Sequence, residues 1–344
     1  MFFWHWGRKI GGLKTGKVRK DRLTKKLIQR LRAGEIALIA HRDLDWTAAE
    51  GLLRCGVKVI LNRDSFCSGL FPPLALEFLL GRGVHLVENL GSRFFDEVAE
   101  GELIGVAGDT VYRRGAGPIR GRHLTAGVYE GLYRESQQQR ESVVENFIVN
   151  TLDHAYRERG LVTGDLELPP VKTKFKERDA VIVIRGKGFR EDLRAIKNYL
   201  LEKKPVLIGV DGGGDALVEC GFVPDIIVGD MDSVSDAVLR QASELVVHAY
   251  PDGRGVPGQK RLQRLGLKYH LFRAPGTSED IALIMAHDSG AALIVAVGAH
   301  FSATEFLEKG RRGMASTFLV RLKVGDCLVD AKGVSRLYQP RRAG

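Results

Sequence analysis

The sequence lacks the long apolar stretch that a membrane-spanning helix needs, since no run approaches about 18 consecutive apolar residues. Cysteine is scarce, with four in 344 residues, and none of the four belongs to a CxxC pair. That scarcity excludes a disulfide framework or a zinc ribbon and is typical of reduced thiols. The chain also starts without the apolar core and cleavage site of a signal peptide. We therefore expect a cytoplasmic globular protein, long enough for two domains.

The net excess of positive charge is confined to the amino-terminal segment. Residues 1–32 contain eleven Lys or Arg and one Asp, which accounts for the net charge of +10 of the whole chain. One interpretation is a flexible, solvated tail followed by a helix with a charged face. The other starts from the aromatic residues at positions 2, 3, 4 and 6, which together with a basic run suit peripheral contact with an anionic membrane. We predict no specific nucleic acid partner, because no binding module accompanies the charge.

The spacing of apolar residues predicts two α/β domains joined by a long helix. Six strands alternate with helices between residues 180 and 309, which predicts a doubly wound, mostly parallel sheet preceded by a smaller α/β domain. The expected boundaries are a basic segment with a helix at 1–32, a small α/β domain with a short β extension at 33–125, a long helix and linker at 126–170, the second α/β domain at 171–338 and a tail at 339–344.

Two details of this organisation are specific enough to test. The long helix carries an apolar stripe that includes Phe147, Ile148 and Leu152, so it either links domains or pairs with a partner helix. At the carboxyl end, Thr317 to Val324 and Leu328 to Leu337 are expected to form an antiparallel β addition with a turn at Gly325.

Two carboxylates follow the apolar strand at residues 226–228. Asp230 and Asp232 lie one residue apart at its carboxyl end, the edge at which open α/β sheets bind ligands. Carboxylates this close repel each other unless a cation lies between them, and phosphate-bound Mg²⁺ is the usual candidate. The sequence therefore predicts a Mg²⁺ site here.

Other loops of the second domain suit the phosphates of ATP or another nucleoside triphosphate. Glycines let a phosphate approach the backbone, helix amino-termini offer N–H donors, and Arg or Lys neutralises charge. The predicted nucleotide-binding residues are Arg185, Lys187, Asp211, Gly212, Gly213, Ser233, Arg254, Thr277 and Ser278. The predicted Mg²⁺ ligands are Asp211, Asp230, Asp232 and Asp280.

Each of these features also has a purely structural interpretation. Asp232 or Ser233 suits a helix cap, since the stretch to Asp236 resembles a capping box, and Thr277 with Asp280 suits another. His300 is more typical of a packing residue than of a base. In the first domain, a second set of polar residues lies at strand ends and suits either a ligand site or a domain interface: His41, Asp43, Asp45, Asn62, Asp64 and Ser65.

Three stretches resemble, in order, the signatures of thiamine pyrophosphokinases: Val210-Asp-Gly-Gly, Pro224-Asp-Ile-Ile-Val-Gly-Asp-Met-Asp-Ser and Thr277-Ser-Glu-Asp280. The resemblance implies pyrophosphoryl transfer from ATP to thiamine, with Mg²⁺ held by aspartates and with Asp230, Asp232 and Asp280 as catalytic residues. It has two departures. Gly298-Ala-His-Phe-Ser-Ala303 replaces the Gly-Gly-Arg-x-Asp-His motif of that family, and the carboxyl-terminal β-sandwich is reduced to about residues 317–337.

A second resemblance, to the cytokinetic ring protein SteA family, extends from Gly16 to Tyr338. It rests on His41-Arg-Asp-Leu-Asp45, Gly229-Asp-Met-Asp-Ser-Val-Ser235, His248-Ala-Tyr-Pro-Asp-Gly-Arg254 and Gly310-Arg-Arg-Gly-Met-Ala-Ser-Thr-Phe318. It implies a Mg-nucleotide-binding protein of cell division and septal wall remodelling, with division or cell-wall partner proteins. We further expect a homo-oligomer, located in the cytoplasm or at the inner face of the membrane at the division site. The alternatives are an active thiamine pyrophosphokinase and a nucleotide-responsive scaffold without turnover.

Overall fold

The computed structural model describes residues 12–70, 72–164, 166–251 and 255–337, and the chain forms two compact units of mixed α/β structure. One unit comprises residues 1–146 and 304–311, and the other comprises residues 147–303 and 312–344. The division falls inside a single helix, Ala126–Arg157, where the sequence predicted a linker over residues 126–170. No helix within the described ranges is long and apolar enough to cross a membrane.

The first unit is built on a mixed sheet whose parallel centre follows chain order. Its strands are β1 (Lys14–Asp21), β2 (Ile36–Ile39), β3 (Val59–Asn62), β4 (His85–Glu88), β5 (Leu103–Ala107), β6 (Thr110–Tyr112), β7 (Ile119–Arg120) and β8 (Arg122–Leu124). Its helices begin with α1 (Thr24–Ile28), α2 (Trp46–Arg54), α3 (Leu74–Leu80), α4 (Gly91–Glu97) and α5 (Ala126–Arg157). The strand order is β7-β6-β5-β1-β2-β3-β4-β8, with β1 to β4 parallel and the other pairs antiparallel.

Strand β1 is the main departure from the prediction for residues 1–32. This stretch was expected to be a tail and a helix, but residues 14–21 pair with both β2 and β5 inside the sheet. Only Val18 among its side chains supplies a buried apolar group, so the alternation typical of a strand is hidden by charged residues. Acids elsewhere in the unit satisfy that charge; Arg19, for example, donates to Glu35 over 2.8 Å. Residues 1–11, on which the membrane-contact prediction also depends, lie outside the described residues.

The second unit contains a fully parallel sheet, where the sequence predicted a mostly parallel one. Its strands are β9 (Asp179–Val183), β10 (Val206–Val210), β11 (Ile226–Gly229), β12 (Glu244–Ala249), β13 (His270–Arg273), β14 (Leu293–Val297) and β15 (Leu328–Asp330). The helices that follow α5 are α6 (Gly160–Thr163), α7 (Phe189–Ala195), α8 (Lys197–Lys203), α9 (Gly213–Glu219), α10 (Asp236–Gln241), α11 (Gln259–Leu265), α12 (Ser278–Asp288), α13 (Ala303–Glu308, in the first unit), α14 (Ala315–Val324) and α15 (Val334–Leu337). The strand order is β13-β12-β11-β10-β9-β14-β15.

Helices cover both faces of this sheet, which makes it doubly wound. Because alternate residues of a strand point to opposite faces, Ile226 and Val228 pack with α12 and α14 on one side, while Ile227 packs with α10 on the other. Apolar strands buried on both faces explain the continuous hydrophobic runs of the sequence.

The predicted antiparallel addition at the carboxyl end was wrong. Thr317 to Val324 belong to helix α14, whose buried face includes Thr317, Leu319, Val320 and Val324. Leu328–Asp330 is a strand, but it runs parallel to β14 and extends the main sheet. The β-branched residues of the first segment favoured a strand, and burial against α12 and the sheet overrides that preference.

Candidate active site at the carboxyl edge of the second sheet

Three predicted loops are neighbours because β10 lies between β9 and β11 in the sheet. The loop after β9 contains Arg185 and Lys187, the loop after β10 begins at Asp211, and the loop after β11 begins at Asp230. All three strands are parallel, so these loops share one edge.

Asp211 connects its own loop to the next one. Its backbone N–H donates to the carbonyl of Val228 over 2.9 Å, and its Oδ1 accepts the N–H of Met231 over 2.9 Å. Asp211 and Met231 both have positive φ, at 47° and 60°. Non-glycine residues in this region store about 1–3 kcal/mol of backbone strain, a cost that clusters at functional sites.

Gly229 allows the Asp211 side chain to approach the end of β11. Its φ is +145°, and a Cβ built on it would lie 2.2 Å from Oδ1 of Asp211. Any larger residue would displace the carboxylate. The glycine that separates the apolar strand from the aspartates is therefore needed for close approach of the two loops.

The loop after β11 is held by its own polar groups. Asp230 accepts the N–H of Asp232 over 2.9 Å, and Ser233 Oγ accepts the N–H of Gly212 over 3.3 Å. The structural interpretation of Asp232 and Ser233 as helix caps was wrong, because the cap of α10 is Ser235, which accepts from Val238. These two residues therefore belong to the rim and not to a helix terminus.

The two glycines after Asp211 occupy positions with little room for a side chain. A Cβ on Gly213 would lie 1.8 Å from the carbonyl oxygen of Val183, and one on Gly212 would lie 3.0 Å from Cδ of Arg185. The glycine loop thus packs directly on the end of β9. At Gly213 the backbone contact leaves no room for a larger side chain.

The predicted basic residues differ in their surroundings. Arg185 lies over Gly212, with Nη2 3.4 Å from Glu219 and 3.8 Å from Asp215. Its guanidinium is therefore close to two carboxylates. Lys187 is exposed in the same loop. Arg254 lies outside the described residues.

Thr277 and Asp280 form the capping box that the structural interpretation predicted. Thr277 Oγ1 accepts the N–H of Asp280 over 3.2 Å, and Asp280 Oδ2 accepts the N–H of Thr277 over 2.9 Å. Ser278 is the first residue of α12. The box places both residues in structural roles, but it uses only one of the two Asp280 carboxylate oxygens.

Asp280 has a second feature that a cap does not need. Its side chain is completely buried, and Oδ1 has no hydrogen-bond partner among the described residues, while Oδ2 also accepts from Ser316 over 2.8 Å. Burial, and next the neighbouring carboxylate of Glu279, raise the pKa of Asp280. An orphaned buried carboxylate oxygen is costly, and such groups are characteristic of ligand sites.

The carboxylates do not form an all-protein metal centre. Within the described residues, no group of three or more His, Cys, Asp or Glu side chains is spaced to hold a metal ion. Mg²⁺ is usually bound by one or two carboxylates, with water and phosphate oxygens completing its coordination. Asp211 and the Asp230–Asp232 loop, which are joined by a hydrogen bond, offer the few carboxylates that a nucleotide-bound metal needs.

The topology identifies a further part of the edge. The chain moves from β9 to β10 on one side of the sheet and later adds β14 on the other side of β9, so the strand order reverses between β9 and β14. Crevices at such switch points are the usual ligand sites of open α/β sheets. The loops there touch, since a Cβ on Gly186 would lie 2.1 Å from the carbonyl of Gly298.

His300 follows β14 at this switch point. The sequence analysis interpreted it as a packing residue. Its backbone N–H donates to Glu279 over 3.1 Å, and its Nδ1 lies 3.2 Å from the same carboxylate. Glu279 was missed by the sequence analysis, as was Ser316, because their partners are distant in the chain. The available signal for Glu279 was its place in the Thr277-Ser-Glu-Asp280 stretch.

The second polar set, at strand ends in the first unit, is largely engaged in structural contacts. Asn62 donates to the carbonyl of His41 and accepts its N–H, and Asp45 caps α2 by accepting from Ala48. Asp43 accepts the N–H of Ser68. Asp64 pairs with the adjacent Arg63 and Ser65 donates to the carbonyl of Cys67. These bonds hold the loops at the edge of the first sheet.

Known proteins are similar to the stretch of chain that contains the Asp211 and Asp230 loops. Residues 197–253 match the family model of the thiamin pyrophosphokinase catalytic domain. That range contains β10, β11 and β12 with the Asp211 and Asp230 loops. A 6-hydroxymethyl-7,8-dihydropterin pyrophosphokinase from Methanothermobacter thermautotrophicus is 29% identical over 143 residues.

Both similarities are partial. The match to the pterin enzyme covers 40% of this chain and 55% of that protein, so the chain spans about half the length of this curated relative. Among solved structures, thiamine pyrophosphokinase from Bacillus subtilis is similar at 19% identity and a TM-score of 0.28, over 44% of this chain and 60% of that one. What the family model shows is that residues 197–253 are similar to part of the thiamin pyrophosphokinase catalytic domain.

Proposed function

We propose that the chain is a pyrophosphokinase-type transferase, which moves a pyrophosphoryl group from a nucleoside triphosphate to the hydroxyl of a small molecule. One observation carries the proposal. The stretch that matches the pyrophosphokinase catalytic domain contains both Asp211 and Asp230, whose loops lie side by side and are hydrogen-bonded to each other.

The roles of the residues follow from their positions. Bound Mg²⁺ would neutralise the phosphates and is expected on Asp211, Asp230 and Asp232, with Asp280 near the same edge. The backbone of Gly212 and Gly213 would cradle phosphate, and the other predicted contacts are Arg185, Lys187, Ser233, Arg254, Thr277 and Ser278. Transfers of this type depend mainly on positioning and charge neutralisation, which this set of groups supplies.

The acceptor class follows from the names of the two similar proteins. One acts on thiamine and the other on a hydroxymethyl pterin, and each acceptor offers a primary alcohol beside a nitrogen heterocycle. We infer an acceptor of the same chemistry. The Gly298–Ala303 stretch has no Asp-His pair where thiamine pyrophosphokinases carry one, which favours an acceptor different from thiamine.

A role in cell division, with partner proteins, remains a prediction from the resemblance to the SteA family. No comparison reported above supports it, and the pyrophosphokinase similarity favours the transferase. Membrane contact through residues 1–32 also remains a prediction that no comparison supports.

The test is release of AMP from Mg-ATP with thiamine or 6-hydroxymethyl-7,8-dihydropterin as acceptor. We expect AMP and a diphosphorylated product with one of them, and a loss of about 100-fold or more in kcat/KM for Asp230→Asn. Asp326→Asn is the matched control, because it removes an equal charge from an exposed position outside the rim.

Calorimetry of Mg-ATP binding separates the remaining outcomes. Nucleotide binding without AMP release from either acceptor would refute transfer to these acceptors and favour the scaffold reading. Absence of binding would refute the nucleotide site itself. An Asp230→Asn variant as active as the Asp326→Asn control would remove the aspartates from the proposal.

A further inference from the structure

Helix α5 carries apolar side chains on its outer surface near its carboxyl end. Ile148, Val149, Leu152 and Tyr156, hereafter the α5 stripe, are 50%, 59%, 57% and 73% exposed. Positions 148, 152 and 156 are four residues apart and therefore lie on one face. Scattered exposed apolar residues are ordinary, whereas a contiguous row marks an interaction surface.

The stripe is distinct from the face with which the helix joins its unit. Phe147, Thr151 and Ala155 are buried, and Ala155 belongs to the core beneath the parallel sheet. Thr151 also accepts the N–H of Met314 over 3.1 Å. The helix is thus anchored by one face, and the predicted single stripe through Phe147, Ile148 and Leu152 is divided between two faces.

Opposite charges flank the stripe at equal distances. Glu145 precedes Leu152 by seven residues and Arg159 follows it by seven, and both are exposed. Seven residues are about two helical turns, so both charges project near the direction of Leu152. Arg159 keeps helical backbone angles, and its guanidinium lies 4.9 Å from the centre of the Tyr156 ring.

This pattern is complementary to itself only in one orientation. In an antiparallel pair with its two-fold axis at Leu152, Glu145 faces Arg159 of the second copy, Ile148 faces Tyr156, and Leu152 faces its own counterpart. In a parallel pair, Glu145 would face Glu145 and Arg159 would face Arg159, which is unfavourable. A two-fold interface requires such self-complementarity.

We propose that the α5 stripe is the contact surface for a second copy of this chain, packed antiparallel about Leu152. The acidic residue at one end makes an anionic membrane surface a poor occupant, and the matched charges favour a copy over an unrelated helix. The proposal is independent of the transferase reaction.

Sedimentation velocity of the full chain over a range of concentrations tests it. The expected result is a monomer–dimer equilibrium in which Leu152→Glu raises the dissociation constant by about 100-fold or more, because two carboxylates then meet at the axis. Leu201→Glu is the matched control, since Leu201 on α8 is 54% exposed and should leave the dimer unchanged. Both variants should keep the melting temperature of the monomer, because neither side chain is buried.

Charge reversal tests the orientation. Glu145→Arg and Arg159→Glu should each weaken the dimer, and the double variant should restore it, since the pair is re-formed with opposite sign. Double reversal that weakens further would overturn the antiparallel arrangement.

Three outcomes would overturn the proposal as a whole. They are a monomer at every concentration, a dimer that Leu152→Glu leaves intact, and a stripe that becomes accessible to an apolar dye only when residues 1–11 are removed. The last would assign the surface to this chain's own aromatic amino-terminal segment.

Discussion

Replacing Gly213 with alanine tests whether the glycine loop is shaped by its contact with β9. The new Cβ would lie 1.8 Å from the carbonyl oxygen of Val183 and 2.7 Å from its carbon. Those atoms belong to a sheet strand and cannot rotate away, so the loop itself must move. Over-packing of this kind costs about 1–3 kcal/mol, and we expect the upper end because the obstacle is backbone.

Alanine also brings a gain that must be subtracted. Alanine restricts the backbone conformations of the unfolded chain, which stabilises the folded protein by about 0.4–1 kcal/mol where alanine can adopt the native backbone conformation. The expected net loss is about 2 kcal/mol, or a melting temperature lower by about 4–8 °C for a unit of this size. Mg-ATP affinity should fall as well, because Gly212 and Asp211 move with the loop.

Thermal denaturation followed by circular dichroism measures the first effect and calorimetry the second. Gly325→Ala is the control, because a Cβ there meets nothing within 4 Å and its φ is −57°. That variant should be equally or slightly more stable than the wild type. A Gly213→Ala protein that melts with the control would refute the argument from close packing.

Two further variants probe buried carboxylates. Burial raises the pKa of Asp280 in the folded protein above its ordinary value of 3.8. The favourable contribution of Asp280 to stability is therefore present below pH 3.8 and is lost as the pH rises through the pKa of the folded state. Without metal, Asp280→Asn should therefore be more stable than the wild type at pH 7 and lose that advantage in acid, as urea denaturation would show; a less stable variant at pH 7 would contradict this. Asp192, almost fully buried, accepts from the N–H groups of Gly333 and Ser335, so Asp192→Ala should cost about 1.5–3 kcal/mol and detach α15. If the segment after β15 is equally sensitive to protease in the variant and the wild type, Asp192 does not hold α15 in place.

The second sheet was predictable because its signal is local. Each strand is a short apolar run, and each is followed by a turn and a helix, so β9 to β14 were located within a few residues of their observed bounds. Strand β1 escaped prediction because one buried Val18 among charged residues gives no periodic signal. Its stability comes from pairing with β2 and β5 and from acids distant in the sequence.

The candidate site was likewise predictable only in part. The chemical identity of its groups, two aspartates after a strand and glycines after its neighbour, is a property of the chain alone. Whether Ser233 capped a helix or belonged to the rim depended on hydrogen bonds with Gly212, which no spacing in the sequence specifies. The same applies to the pair of Glu279 with His300.

By itself, then, the sequence determined the class of fold and which carboxylates and glycines follow its strands. The reason is that alternation, glycine and charge act over a few residues. Only the tertiary structure decided that, within the part of the chain it describes, Asp280 is buried with an unpartnered oxygen and the aspartates form no closed metal centre. It also decided that half of the long helix's apolar stripe faces outward. Burial and the meeting of distant segments are consequences of packing the whole chain, so no local pattern contains them.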